Sequence, residues 1–298
     1  MSAAADRPHL LAQRAVVRML FDPRFAEAAR HDPEGVLGAL DPKLRAQLVA
    51  VDPRAFQLDR LRRRRALRTL SEEFKGTTTL VLAETRSLAF LEQFFASTPF
   101  HRAVGPCAER RVGCDDQRGS MPLAFAEFLA EAIADGRLAT KLLADVLAIE
   151  ATLARSRRAA PSAHPPSGRA GELALAPGVL PIEVATGALS ALQQAEAYLF
   201  EVGLMPAVAL CDDAPALELD ARAADSTRLR LVTVPTASGV SLVTIDEELH
   251  RVLRSFAGDG ARTPAALVAE AGARGVPEAR VHEILRGLVE DEIVWVHP

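Results

Sequence analysis

The sequence predicts an α+β protein with an all-helical N-terminal domain over residues 1–158, a linker over 159–171 and a C-terminal α+β domain over 172–298. Three observations carry this reading. The 298 residues are 49% hydrophobic and 25% charged, the balance of a globular chain long enough for two ordinary domains. Charge divides along the chain, with 25 Arg and Lys against 20 Asp and Glu in residues 1–158, and 10 against 19 in residues 159–298. Between the halves runs Arg155-Ser-Arg-Arg-Ala-Ala-Pro-Ser-Ala-His-Pro-Pro-Ser-Gly-Arg-Ala-Gly171, where Pro, Ser and Gly leave nothing from which to build a core. The aromatic residues divide at the same place: ten of the twelve Phe precede residue 158, whereas Tyr198 and Trp295 follow it.

Upstream of the linker the pattern is helix after helix. Asp22-Pro23, Asp32-Pro33, Asp41-Pro42 and Asp52-Pro53 each place a capping carboxylate before a proline suited to a first helical turn, so a short helix is expected to begin at each. A longer helix from Pro53 carries Phe56, Leu67, Leu70 and Phe74 on one side. Residues 77–97 hold Leu80, Leu88, Leu91 and Phe95 at a helical period despite the β-tolerant opening Thr-Thr-Thr-Leu-Val-Leu. Ser120 is the expected cap of a helix stopped by Gly136, and a last helix is expected over Arg137–Leu153.

After the linker the period shortens. Residues 171–185, 206–212, 216–221, 228–235 and 239–245 are short, rich in Val and Leu, and bounded by Gly, Pro or Asp, which predicts strands interrupted by one helix near Leu189–Glu201. Three helices are expected at about 246–256, 263–273 and 277–290, before an extended Ile293–His297. A hairpin, three short helices and a closing strand is the element order of a winged-helix-like module over about 228–298.

Common catalytic devices are missing. No P-loop, GxGxxG, HExxH, GxSxG or EF-hand loop occurs, and no two of the seven His stand at i, i+3 or i, i+4. His101, Cys107, Cys114, Asp115 and Asp116 together offer the ligand types of a metal site. Arg110 and Arg111 lie between the two cysteines and oppose a bound cation, so a loop between helices is the expected role. Three cysteines without a CxxC, no signal-peptide pattern and no long apolar run together point to a cytoplasmic protein without a membrane span.

Two charge features bear on partners. Arg60, Arg62, Arg63, Arg64 and Arg65 wrap most of a helix circumference and suit a solvated face, a clamp on an acidic protein surface or an anionic site, the protein surface being favoured over the anionic site because no aromatic stacking platform accompanies the run. The module from Asp246 onward holds six Arg against ten Asp and Glu, and its third helix carries five carboxylates against two Arg. Phosphate repels such a surface, so nucleic acid is not the expected partner. The same elements suit an extended peptide that adds as a strand to the sheet edge beside the third helix.

Residues 22–74, the stretch Phe94-Phe-Ala-Ser-Thr-Pro-Phe-His-Arg-Ala-Val104, and the tail from Glu248 resemble the partner proteins encoded beside multinuclear non-heme iron-dependent oxidative enzymes of ribosomal peptide natural-product (RiPP) pathways. The resemblance implies a non-catalytic subunit. It would bind the leader of a precursor peptide and present it, in a heterodimeric complex, to a barrel-type enzyme that holds the iron; this chain would carry no cofactor. Mapped onto this sequence, the peptide would run along Arg228–Val234 and Val240–Thr244. Arg228 and Arg230 would meet leader carboxylates, Leu231, Val232, Thr233 and Val234 would supply the strand, and Val281, Ile284, Leu285 and Leu288 the groove. The competing role for those four is to form the module's own core. The arginine run would hold the iron enzyme. Two alternatives stand beside this reading: a winged-helix transcriptional regulator with an N-terminal sensing domain, and an enzyme with a site near His101, Cys107 and Asp115.

Overall fold

The computed structural model describes residues 8–52, 60–104, 120–159, 168–201, 216–219, 227–237, 239–256 and 260–297. They form a mixed α+β structure. Packing divides the chain into two units, Met1–Thr140 with Ala195–Leu217, and Lys141–Gln194 with Glu218–Pro298.

The first unit is helical, with α1 (Pro8–Phe21), α2 (Pro23–His31), α3 (Pro33–Leu37), α4 (Pro42–Val49), α5 (Arg60–Glu73), α6 (Lys75–Thr85), α7 (Leu88–Glu92), a 3-10 turn at Gln93–Ala96, α8 (Thr98–Val104) and α9 (Met121–Ala134). Three Asp-Pro pairs work as their chemistry predicts. Asp22 accepts from the Phe25 N–H at 3.1 Å, Asp32 from Gly35 at 2.9 Å, and Asp41 from Lys43 at 2.9 Å. Each cap is worth about 1 kcal/mol. Pro53, which follows the fourth Asp, and Phe56 lie outside the described residues.

The threonine-rich stretch is helical because its hydroxyls bond backward. Thr78 Oγ1 donates to the Phe74 carbonyl at 2.7 Å and Thr79 Oγ1 to Lys75 at 2.6 Å, which lets both side chains be buried without an orphaned polar group. The core is aromatic: the Phe94 ring lies 5.5 Å from Phe95, 5.2 Å from Phe100, 5.1 Å from Phe125 and 5.9 Å from Phe128, mostly tilted or edge-on as ring quadrupoles prefer.

Two capping expectations need correction. Ser120 precedes α9 but makes no capping bond, and its buried Oγ has no partner among the described residues. Gly136 stops α9 at φ 71°, as expected, but the next helix starts at Leu143 rather than Arg137. Glu84 is the reason. Its carboxylate takes the Ala139 N–H (2.7 Å), the Thr140 N–H (3.0 Å) and the Thr140 hydroxyl (2.6 Å), which holds that stretch out of a helix.

The second unit contains α10 (Leu143–Arg158), β1 (Leu173–Leu175), β2 (Leu180–Ala185), the start of α11 (Gly187–Glu201), β3 (Arg228–Thr236), β4 (Gly239–Thr244), α12 (Glu247–Arg254), α13 (Pro264–Ala273), α14 (Glu278–Glu290) and β5 (Val294–Val296). α10 therefore packs with the strands, against β2, β3 and β4, and the contacts part before it rather than in the proline-rich stretch. Its apolar stripe (Val146, Ile149, Ala154) was legible, but a periodicity does not say what the stripe meets.

β2, β3 and β4 form an antiparallel sheet in that order. Thr233 Oγ1 and Ser156 Oγ both donate to the Gly178 carbonyl, at 2.8 and 2.6 Å, on the face that α10 covers. On the opposite face, Val232 and Val234 join a core with Val252, Leu253, Phe256, Leu267, Val281, Leu285 and Leu288. A second sheet pairs β1 with β5, and the other flank of β1 is bonded to Arg262 in both directions, at 2.7 and 2.8 Å. The strands expected at 206–212 and 216–221 lie mostly outside the described residues, and 216–219 has no regular structure.

Candidate functional site

β3 is an interior strand. The Ile245 N–H donates to Arg230 O at 3.0 Å, one rung beyond the register Leu231↔Thr244, and the Thr186 N–H donates to Thr227 O at 2.9 Å, one rung beyond Ala185↔Arg228. Antiparallel rungs alternate. The main-chain groups of Arg230, Val232 and Val234 therefore face β4, while those of Leu229, Leu231 and Thr233 face β2. No edge is left on β3 for a peptide, which corrects the expectation that Arg228–Val234 receives one by strand addition.

The sheet's two true edges differ in kind. On β2 the outward groups belong to Pro181, Glu183 and Ala185. Pro181 has no N–H to offer, and the Ala185 N–H already donates to Asp145 Oδ1 at 3.1 Å. On β4 the outward N–H and C=O groups are those of Val240, Leu242 and Thr244. Among the described residues no strand pairs with them. The strand Gly-Val-Ser-Leu-Val-Thr carries no charge and no proline, and Val243 is 44% exposed. This edge has none of the usual defences against pairing.

The other expected site residues fall mostly into structural roles. Arg228 lies 3.5 Å from Asp145 and 3.5 Å from Glu183, and Arg230 lies 3.3 Å from Glu247, so both guanidinium groups are neutralised within the chain rather than held ready for leader carboxylates. Leu231, Val232 and Thr233 are buried. Val281, Leu285 and Leu288 are core residues at 5% exposure or less, and Ile284 packs half-buried against them. Those positions hold the module together instead of lining an open groove.

In the arginine run, Arg63 donates to the Phe21 carbonyl at 3.4 Å, while Arg64 and Arg65 are exposed. The side chains of Arg60 and Arg62 lie outside the described residues, as do Cys107, Cys114, Asp115 and Asp116 in full. His101 is half-buried on α8, and its Nε2 has no hydrogen-bond partner among the described residues. Burial, and then the Arg18 charge, push its pKa down, against a smaller opposing pull from Asp22. Among the described residues no group of three or more His, Cys, Asp and Glu is placed to hold a metal ion, and no helix is long and apolar enough to cross a membrane.

Sequence reasoning named Val240–Thr244 alongside Arg228–Val234 as the peptide's path, but did not separate the two strands or single out Val240, Leu242 and Thr244 as the residues whose backbone faces outward. One signal for the asymmetry was present: Pro181 within a strand pattern marks an edge. Asp145, which completes the closure of β2, lies on a helix that nothing local connects to the strand. No protein-family model matches this chain, and no curated protein or solved structure matches it either.

Proposed function

We propose that this chain is a non-catalytic recognition subunit that takes an extended peptide along the outer edge of β4. The observation that carries the reading is the contrast between a β2 edge closed by Pro181 and Asp145 and a β4 edge whose three outward donor and acceptor sets meet no strand among the described residues. Main-chain pairing supplies affinity in this mode, and side chains beside Ser241 and Val243 supply selectivity. The acidic tail disfavours nucleic acid as the occupant. The side-by-side order of Arg262, β1 and β5 next to α12–α14 supports reading this part as a winged-helix-like module with one strand supplied from upstream.

The resemblance to partner proteins of iron-dependent oxidative enzymes supplies the rest: the peptide is the leader of a ribosomally made precursor, and the bond-making belongs to a barrel enzyme encoded nearby. Arg64 and Arg65 are the exposed cations offered to that enzyme. The test uses fluorescence anisotropy with the full chain and labelled synthetic peptides translated from short reading frames searched for beside its gene. Leu242→Pro removes one outward donor and no bond to β3, so leader affinity falls at least about tenfold with the fold intact. Unchanged affinity overturns the site. A proline at Leu231 would instead break the ladder to β2.

A further inference from the structure

The outward triplet on β4 is symmetric about Leu242. We propose that, in the absence of peptide, two copies of this chain pair through β4 about a two-fold axis at Leu242, forming one continuous six-stranded sheet. The proposal shares the β4 edge with the functional reading above and assigns its resting occupant.

The register follows from the backbone. Val240, Leu242 and Thr244 point their N–H and C=O groups outward, so an antiparallel mate centred on Leu242 sets Leu242 against Leu242 and Val240 against Thr244. All three pairs are of the doubly bonded kind, and every outward group of both strands is satisfied. On the opposite face Ser241 meets Val243 of the mate, which covers the half-exposed Val243. Each cross-strand pair is uncharged and mostly apolar or β-branched, the composition that stabilises adjacent strands. The nearest carboxylates, Asp246 and Glu247, follow Thr244 and come opposite the mate's hairpin turn, where Thr236, Ala237 and Gly239 carry no charge.

The closed β2 edge gives this pairing its limit. A sheet open at both sides would add copies without end, whereas Pro181 and Asp145 stop growth at two. The interface is isologous and closes on itself. A peptide that takes β4 then competes with the second copy, so peptide binding converts a dimer to a monomeric complex.

Sedimentation velocity on the full chain without peptide tests the idea. The mass is expected to rise from one copy toward two between low and high micromolar concentration, and addition of the leader peptide lowers it again. Leu242→Glu and Leu242→Lys each place like charges face to face on the axis and weaken self-association at least about tenfold, while an equal mixture of the two variants restores the dimer. Leu242→Pro also gives a monomer and guards against misfolding of the charged variants. A chain that stays monomeric throughout overturns the dimer even if it binds peptide. A wild-type dimer whose charge variants do not combine overturns the register. A dimer that binds no peptide leaves this inference standing and removes the functional reading.

Discussion

In the β1–β5 sheet a strand from upstream is held on both flanks. Leu173 exchanges two hydrogen bonds with Arg262, and the Ala176 and His297 N–H groups bond across to Ile293 and Glu172 on the β5 side. In the β2–β4 sheet the last strand is, among the described residues, paired on one flank only. The same backbone chemistry is thus satisfied within the chain at one place and left available at the other. Leu173 and Val294 of the first sheet enter the core, at 6% and 2% exposure, while each sheet also leaves a valine of its outermost strand to solvent, Val296 at 49% and Val243 at 44%. Closing an edge with the chain's own residues serves stability, whereas an open edge leaves donors and acceptors that a further strand can satisfy.

The sharpest way to break this comparison is to remove β1 entirely. A fragment of residues 228–298 holds the hairpin and three helices that look like a module in sequence, but lacks β1, β2 and α10. It is expected to give a collapsed amide spectrum with little fixed structure, and a dispersed spectrum would show that the internal strand is dispensable. A milder form compares single side chains. Leu173→Ala should lower unfolding free energy by about 2–5 kcal/mol in urea, whereas Val243→Ala on the open strand should change it by less than about 0.5 kcal/mol. Similar losses at both sites would erase the distinction.

The smallest effect concerns His250, buried on α12, which packs against β2 and β3. Burial pushes its pKa below the ordinary 6.5; Arg254 and Arg230 act in the same direction, and Glu183 and Glu247 oppose them. The unfolded chain therefore takes up this proton at higher pH than the folded one. Stability from His250 is complete above about pH 6.5 and declines as pH falls below that value toward the depressed folded pKa. Urea midpoints measured on either side should show the decline, and His250→Gln should remove that part of the slope.

Features governed by neighbouring residues were legible in the sequence. The Asp-Pro caps, the stop at Gly136, the β3–β4 hairpin and the three helices after it all follow from local chemistry. Features set by distant partners were not. The Arg228 guanidinium looks free until Asp145, far upstream, is brought beside it, and Leu231 looks like an edge residue until β2 returns to cover it. α10 reads as the end of a helical domain because its stripe is apolar, yet a sheet is as good a partner for that stripe as another helix. The candidate site was half legible for the same reason: the hairpin was visible, but which of its two strands stood outermost depended on β2.

The seat of α10 against β2, β3 and β4 also changes what the proline-rich stretch after it means. Both ends of that stretch belong to the same compact unit, so cutting the chain there would sever a covalent bond without freeing the pieces. A nicked molecule is expected to travel as a single particle in native sizing and to resolve into two bands only after denaturation, the upstream piece remaining anchored by one helix lying on the strands.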